Sequence, residues 1–273
     1  MEMTDVLCRL TLAAYLVSTL IYAGSLLIRR VHLARIATWI FGAAFFAHSL
    51  TIVAVWLKTG QSPVLAIRDG FSFFAWVMAG TYLVFQLRTK TRVLGAFVSP
   101  ISSVLLIMAS SGVSGPAVVP EILKSGLVSF HAMFSFIGEA LFAVASLAGA
   151  MFLLQDNLIK RRKTIRLIKY LPSLRDLDKV NHACLLWGFP LLTLGILSGA
   201  FWARVAWGGL WHWDPKLLWT ALAWIVYAFL LHQRLAIGWQ GRRAALSSVA
   251  AFIILLLALA VEKVFFTTIH DFF

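Results

Sequence analysis

The sequence predicts an all-α membrane protein of about eight transmembrane helices, and three observations lead to that fold class. Of its 273 residues, 61% are hydrophobic and only 13% are charged. The mean hydropathy of +0.88 exceeds what a soluble domain can bury. The apolar residues also fall in runs long enough to cross a bilayer, and these runs predict spans at 6–28, 36–57, 70–87, 93–110, 126–154, 184–203, 217–235 and 244–267.

The eight spans divide into two halves of one integrated membrane domain. Residues 1–124 hold the first four spans, and residues 125–273 hold the last four together with most of the polar motifs. The connections between spans are short, so no soluble domain of useful size is left over.

The basic residues predict the orientation of the chain. Seventeen of the 24 lysines and arginines fall in alternate joints, at 29–35, 88–92, 160–179 and 234–243. Loops rich in Lys and Arg stay in the cytoplasm. We therefore expect these four joints inside and both termini outside, in the multi-pass arrangement of a bacterial cytoplasmic (inner) membrane protein.

Composition and missing motifs exclude several function classes. The net charge of +13 is spread over loops tied to membrane helices, which indicates membrane orientation and contact with lipid, not nucleic-acid binding. No P-loop or GxGxxG signature is present, which argues against ATP-driven transport. Cys8 and Cys184 belong to no CxxCH pattern, so covalent haem attachment to this chain is not expected.

The most informative segment runs from Trp207 to Trp219 and reads WGGLWHWDPKLLW. Its tryptophans favour the membrane interface, while Asp214 and Pro215 keep its centre polar and non-helical. In the predicted topology it faces outward. Large flat rings on such a segment indicate a site for a flat aromatic ligand.

Two histidines lie at the depth of this segment. His131 is about 7 Å below the outer end of the fifth span, and His270 follows the eighth span at its outer end. Two neutral imidazoles that face each other are what a bis-histidine haem site requires. We interpret this pair as iron ligands beside the tryptophans, with the hydrogen-bonded packing histidine as the alternative.

A second pair lies deeper. His48 is at mid-depth in the second span, and His232 is in the cytoplasmic half of the seventh. Ionisable groups at this depth are costly and are candidates for function. The pair could bind an inner haem if the two spans pack together, and separate interhelical hydrogen bonds explain the residues equally well.

Charged groups flank both ends of the C-terminal half. Arg204 and Lys216 lie beside the tryptophan segment in the sequence. Two roles stay open for them, neutralising haem propionates and anchoring the chain at the membrane interface. The long cytoplasmic connection 155–180 contains KRRKTIRLIK, a basic stretch suited to lie on lipid or to bind an acidic partner.

These motifs resemble a known family. WGGLWHWDPKLLW, followed by TALAWIVYAFLLH ending at His232, resembles the tryptophan-rich WWD haem-handling domain of cytochrome c assembly proteins, the CcsA and HemX-like family. The likeness continues through residues 130–155 and 171–208 and covers most of 125–273. The first 120 residues match mainly in helix count, length and His48, and the chain length is similar to the short HemX-like branch.

The resemblance implies roles for individual residues. In that family the WWD segment lies on the outer face and cradles haem, and two flanking histidines, here His131 and His270, bind the iron. Histidines within the membrane are implicated in a second haem site, and His232 and His48 are the matching candidates. The residues that stand where the motif has them are Trp207, Trp211, Trp213, Asp214, Pro215 and Lys216.

We therefore expect a protein that binds two b-type haems and handles or transfers haem across the membrane for cytochrome c biogenesis. Its partners would be lipid, haem and a cytochrome c assembly partner, with no nucleic acid. Two alternatives stay open. One is a dihaem electron-transfer oxidoreductase linked to quinol, and the other is a HemX-type regulator that binds a soluble enzyme of early haem synthesis.

Overall fold

The computed structural model describes residues 3–28, 30–89, 91–110, 120–161, 171–207 and 215–265. Within these ranges the chain forms eight α-helices and two 3₁₀ turns, Arg92–Leu94 and Glu121–Leu123. The helices are α1 (Met3–Ile28), α2 (Val31–Thr59), α3 (Ile67–Arg88), α4 (Gly95–Ser110), α5 (Gly126–Lys160), α6 (Leu174–Trp207), α7 (Pro215–Leu235) and α8 (Arg242–Phe265).

The helices confirm the predicted all-helical membrane fold. Seven of them are long and apolar enough to cross a bilayer. The remaining one, α7, has 21 residues and carries His232 and Arg234 in its last turn. The orientation of the termini stays a prediction, because length and hydropathy do not distinguish the two sides of a membrane.

The largest difference from a predicted boundary, ten residues, is at the beginning of α6. Helix α6 begins at Leu174, whereas the apolar run predicts a span from 184. Ser173 caps its first turn, since the Ser173 hydroxyl accepts from the Asp176 backbone N–H at 3.1 Å and donates to the Asp176 carboxylate at 2.7 Å. Hydropathy alone misses this polar extension of the helix.

The N-terminal half packs around a polar stripe on α1. Along the inward face of that helix the hydroxyl-bearing residues are at most 1% exposed: Thr11, Tyr15, Ser18, Tyr22 and Ser25. The first four form bonds to neighbouring helices, as the Tyr22 hydroxyl does to that of Tyr82 at 2.7 Å, and the Ser25 hydroxyl donates to the Tyr22 carbonyl of α1 itself. Burying apolar side chains gives little association energy in lipid, so such hydrogen bonds help to hold the helices together.

Helix α5 is the centre of the C-terminal half. It packs along α6, contacts α8, and joins the two halves through α3. The face of α5 towards α7 is fixed by aromatic stacking, with the rings of Phe142 and Tyr227 lying 3.6 Å apart and inclined by only 6°. This stacking fixes the position of α7 relative to α5.

The topology is tested by cysteine labelling. In a chain whose native cysteines are replaced, Cys8→Ser and Cys184→Ser, we expect His212→Cys to react with an impermeant maleimide in intact cells. Lys163→Cys should react only after permeabilisation, because the basic joints stay inside. The reverse pattern would exchange the inner and outer sides of every site described here.

Candidate functional site

His131 is the described member of the predicted outer pair, and its ring has a defined orientation. It lies half-buried in the second turn of α5, and its Nδ1 is 2.8 Å from the backbone carbonyl oxygen of Gly195 on α6. A carbonyl only accepts hydrogen bonds, so Nδ1 carries the hydrogen. In the neutral ring Nε2 then holds the lone pair, which is the form that binds a metal.

Glycines on α6 make this contact sterically feasible. A Cβ added to Gly199 would lie 2.5 Å from His131 Nδ1, and one added to Gly195 would lie 2.5 Å from the Ser135 hydroxyl oxygen. Deeper in the same interface, a Cβ on Gly138 would meet the α6 backbone at 2.8 Å. Small residues therefore let α5 and α6 approach closely enough for a side chain to reach a backbone carbonyl.

The other predicted outer residues either belong to helix ends at this side of the bundle or lie outside the described residues. Arg204 is exposed near the end of α6, and α6 and α7 bound the tryptophan segment at this same end. Lys216 lies in the first turn of α7, and its side chain is not described. The residues outside the described ranges are Trp211, Trp213, Asp214 and His270, and the Trp207 side chain is not described either.

His48 lies in a hydrogen-bonded contact between three helices. It is fully buried on α2, with Nδ1 3.3 Å from the Tyr15 hydroxyl on α1 and Nε2 2.9 Å from the Ser72 hydroxyl on α3. Both ring nitrogens are therefore hydrogen-bonded within the helix bundle. This is the arrangement expected for the packing alternative.

His232 lies on the opposite side of its helix from the bundle. The buried face of α7 carries Ala223, Tyr227, Leu230 and Arg234, whereas His232 is exposed. Among the described residues, the helix pairs in extended contact do not include α2 with α7. The structure thus does not bring His48 and His232 together, and their shared haem site stays a prediction.

Comparison of the sequence with known proteins identifies the family of the chain. The family profile described as "Cytochrome C assembly protein" matches residues 44–270, which is most of the chain. The chain belongs to the cytochrome c assembly protein family. The matched residues include His48, His131 and His232, as well as the tryptophan-rich segment.

Individual relatives in this family carry the name "Cytochrome c biogenesis protein CcsA". The Chlamydomonas reinhardtii protein is 34% identical over 216 residues, which cover 75% of this chain but 59% of that protein. The Porphyra purpurea protein is 28% identical over 280 residues, 88% of each chain. The Parasynechococcus marenigrum protein is 32% identical over 230 residues, 75% of each chain. Assignment to the HemX-like branch stays a prediction.

A buried polar network near the cytoplasmic ends of α6 and α7, on the predicted topology, was not foreseen. The sequence places Arg234 among loop cations, yet Arg234 is only 7% exposed. Its guanidinium donates to Asp178 Oδ2 and His182 Nδ1 at 2.8 Å each, and to Asn181 Oδ1 at 3.0 Å. The signal in the sequence is the helical spacing of Asp178, Asn181 and His182.

The network also ties in two further elements of the C-terminal half. The second carboxylate oxygen of Asp178 accepts from the Gly241 backbone N–H at 3.1 Å, in the turn before α8. The Asn181 amide donates to the Ala145 carbonyl of α5 at 2.8 Å. The network around this buried cation thus links α5, α6, α7 and the turn before α8 at the end of the bundle opposite His131.

We expect Arg234→Ala to destabilise the protein by about 3–5 kcal/mol, because it leaves the carboxylate of Asp178 without its partner in a largely buried network. Thermal unfolding of the detergent-solubilised protein measures the change. Arg243 is exposed on the neighbouring helix, so Arg243→Ala serves as the control and should have little effect. Equal melting temperatures for the two variants would show that the network does not stabilise the fold.

Proposed function

We propose that this protein binds haem at the outer membrane face and handles it during cytochrome c assembly. One observation carries the proposal: the imidazole of His131 is oriented by the Gly195 carbonyl so that Nε2 can act as a metal ligand. Membership of the cytochrome c assembly family supplies the biological setting. The relatives named for cytochrome c biogenesis support the same setting.

The residues around His131 fit a histidine-ligated haem. The Gly195 carbonyl fixes the tautomer and the orientation of the ring through the Nδ1 hydrogen bond. Gly199 provides the space in which the ring lies. Bound haem would supply the iron and a vinyl edge for the apocytochrome, while the protein supplies binding, orientation and exclusion of water.

The remaining outer residues are proposed from the sequence motif. His270 is the second axial ligand, and Trp211 and Trp213 line the flat face of the macrocycle. Asp214 orders their segment by accepting backbone or indole N–H bonds. Arg204, which is exposed at the same end of the bundle, and Lys216 are suited to pair with the propionates.

The wider setting is part of the same proposal. The protein is a multi-span membrane protein, and we propose the bacterial cytoplasmic membrane as its location, with lipid, haem and a cytochrome c assembly partner as its contacts. The quinol-linked and enzyme-anchoring alternatives gain no support from the described residues. Transfer of haem across the bilayer requires, in addition, the inner site of His48 and His232.

The outer site is tested with two substitutions and a matched control. We expect His131→Ala to abolish outer-haem binding, and Gly199→Ala to weaken it roughly 10–100-fold by displacing the ring from its carbonyl. Gly42→Ala in α2 is the control, because a Cβ there meets nothing within 4 Å. Haem per folded protein, measured by pyridine haemochrome after purification, gives the result.

The outcome that contradicts the outer site is specific. If His131→Ala and Gly199→Ala retain haem as Gly42→Ala does, His131 is a packing histidine and the proposal fails. Loss of haem in all three variants would indicate general misfolding, which the melting temperature of each variant detects independently.

The inner site is tested by His48→Ala and His232→Ala. If two haems are bound, each variant should lower the haem-to-protein ratio towards one while the outer-haem spectrum is kept, because ligands of one haem share a depth. If only packing is involved, His48→Ala lowers the melting temperature through its lost bonds to Tyr15 and Ser72, and haem content does not change. That second result would remove the inner haem from the account.

A further inference from the structure

The C-terminal half encloses a small cavity within the membrane-spanning region. Helices α5, α6, α7 and α8 all contribute to its wall. Most of the wall is apolar, including Leu192 and Leu255, but three polar side chains also line it: Glu139, Thr220 and Tyr227. Glu139 is about 20 Å along α5 from the start of that helix, hence near the middle of a bilayer.

The hydroxyl of Tyr227 indicates that this cavity binds a ligand. Tyr227 is 2% exposed, and among the described residues its hydroxyl has no hydrogen-bond partner. Its ring is stacked on Phe142, so the hydroxyl cannot swing away to find one. Burying a hydroxyl without a partner is unfavourable, and natural structures rarely leave one so.

The size of the cavity selects the ligand. The volume open to the centre of a water molecule is about 20 Å³, and one bound water needs about 10–15 Å³ of this volume. A porphyrin or a quinone ring is far larger. A buried water also needs two to four polar partners, which the Tyr227 hydroxyl, the Glu139 carboxyl group and the Thr220 hydroxyl can provide.

We propose that this cavity binds a water molecule that joins the Tyr227 hydroxyl to the Glu139 carboxyl group. Glu139 and Thr220 also interact with other groups. A carboxylate offers about four lone-pair positions, so those interactions leave capacity for water. The arrangement lowers the cost of holding an acid inside the membrane, because the carboxyl group is hydrated there.

The hydrated acid is a place where the membrane domain can hold an exchangeable proton. It lies on the same helix as His131, about two turns deeper. It also joins α5 to α7, the helix that follows the tryptophan-rich segment. The site is independent of haem binding, since its residues are not among those that we assign to either haem.

The first test compares two tyrosine substitutions in the purified full-length protein. Tyr82 is also fully buried, but its hydroxyl is bonded to Tyr22 and to the Arg92 carbonyl, so Tyr82→Phe calibrates the loss of a bonded hydroxyl. If water occupies the cavity, Tyr227→Phe should lower the melting temperature by about 2–4 °C, as a bonded hydroxyl would. If the cavity is dry, Tyr227→Phe removes an unpaired hydroxyl and leaves the melting temperature unchanged or raises it. That result overturns the proposal.

The second test detects the water directly. Infrared spectra of the wild-type protein in H₂¹⁶O and H₂¹⁸O should differ by a sharp band from an internal water, and Tyr227→Phe should remove that band. If Tyr227→Phe does not fold, Glu139→Gln replaces it and should shift the band. An isotope difference that is absent from the wild type, or unaffected by the substitution, contradicts the proposal. Haem content does not enter either measurement.

Discussion

The close approach of α5 and α6 is the constraint on which the candidate site depends. Glycines remove the Cβ atoms that would otherwise keep the two backbones apart, and one of them, Gly199, leaves room for the ring of His131. The ring can then donate to the Gly195 carbonyl, which determines which ring nitrogen holds the lone pair. In lipid, where apolar burial drives helix association only weakly, this close packing also holds the two helices together.

Other contacts hold the remaining parts of the C-terminal half together. Near the end opposite His131, the network around the buried Arg234 links α5, α6, α7 and the turn before α8. In the middle, the stacked rings of Phe142 and Tyr227 fix α7 against α5 beside the polar cavity. The end that carries His131 also receives the helix termini that bound the tryptophan segment. His131, whose ring orientation is fixed, thereby lies at the same end of the bundle as the helix ends that precede and follow the tryptophan segment.

Most of the fold was predictable because membrane spans are visible in the sequence as long apolar runs. The beginning of α6 was not predictable, because its first turns are polar and resemble a loop in the sequence. In the structure Arg234 covers part of these turns. The depth of His131 followed from counting residues, but its bond to Gly195 did not, since one sequence does not reveal which helices touch. The GxxxG spacing of Gly195 and Gly199 was the available signal. For His48, depth left a haem ligand and a packing histidine equally open, and its two hydroxyl partners on other helices became visible only in the folded chain.

The most direct measurement of the central claim is the absorption and electron paramagnetic resonance spectrum of wild-type protein purified from haem-replete cells. An oriented His131 with a second axial histidine predicts a six-coordinate, low-spin b-type haem that acid acetone extracts, because neither cysteine can form a thioether in a CxxCH motif. Colourless protein, or haem bound only in a five-coordinate high-spin form, would contradict the account.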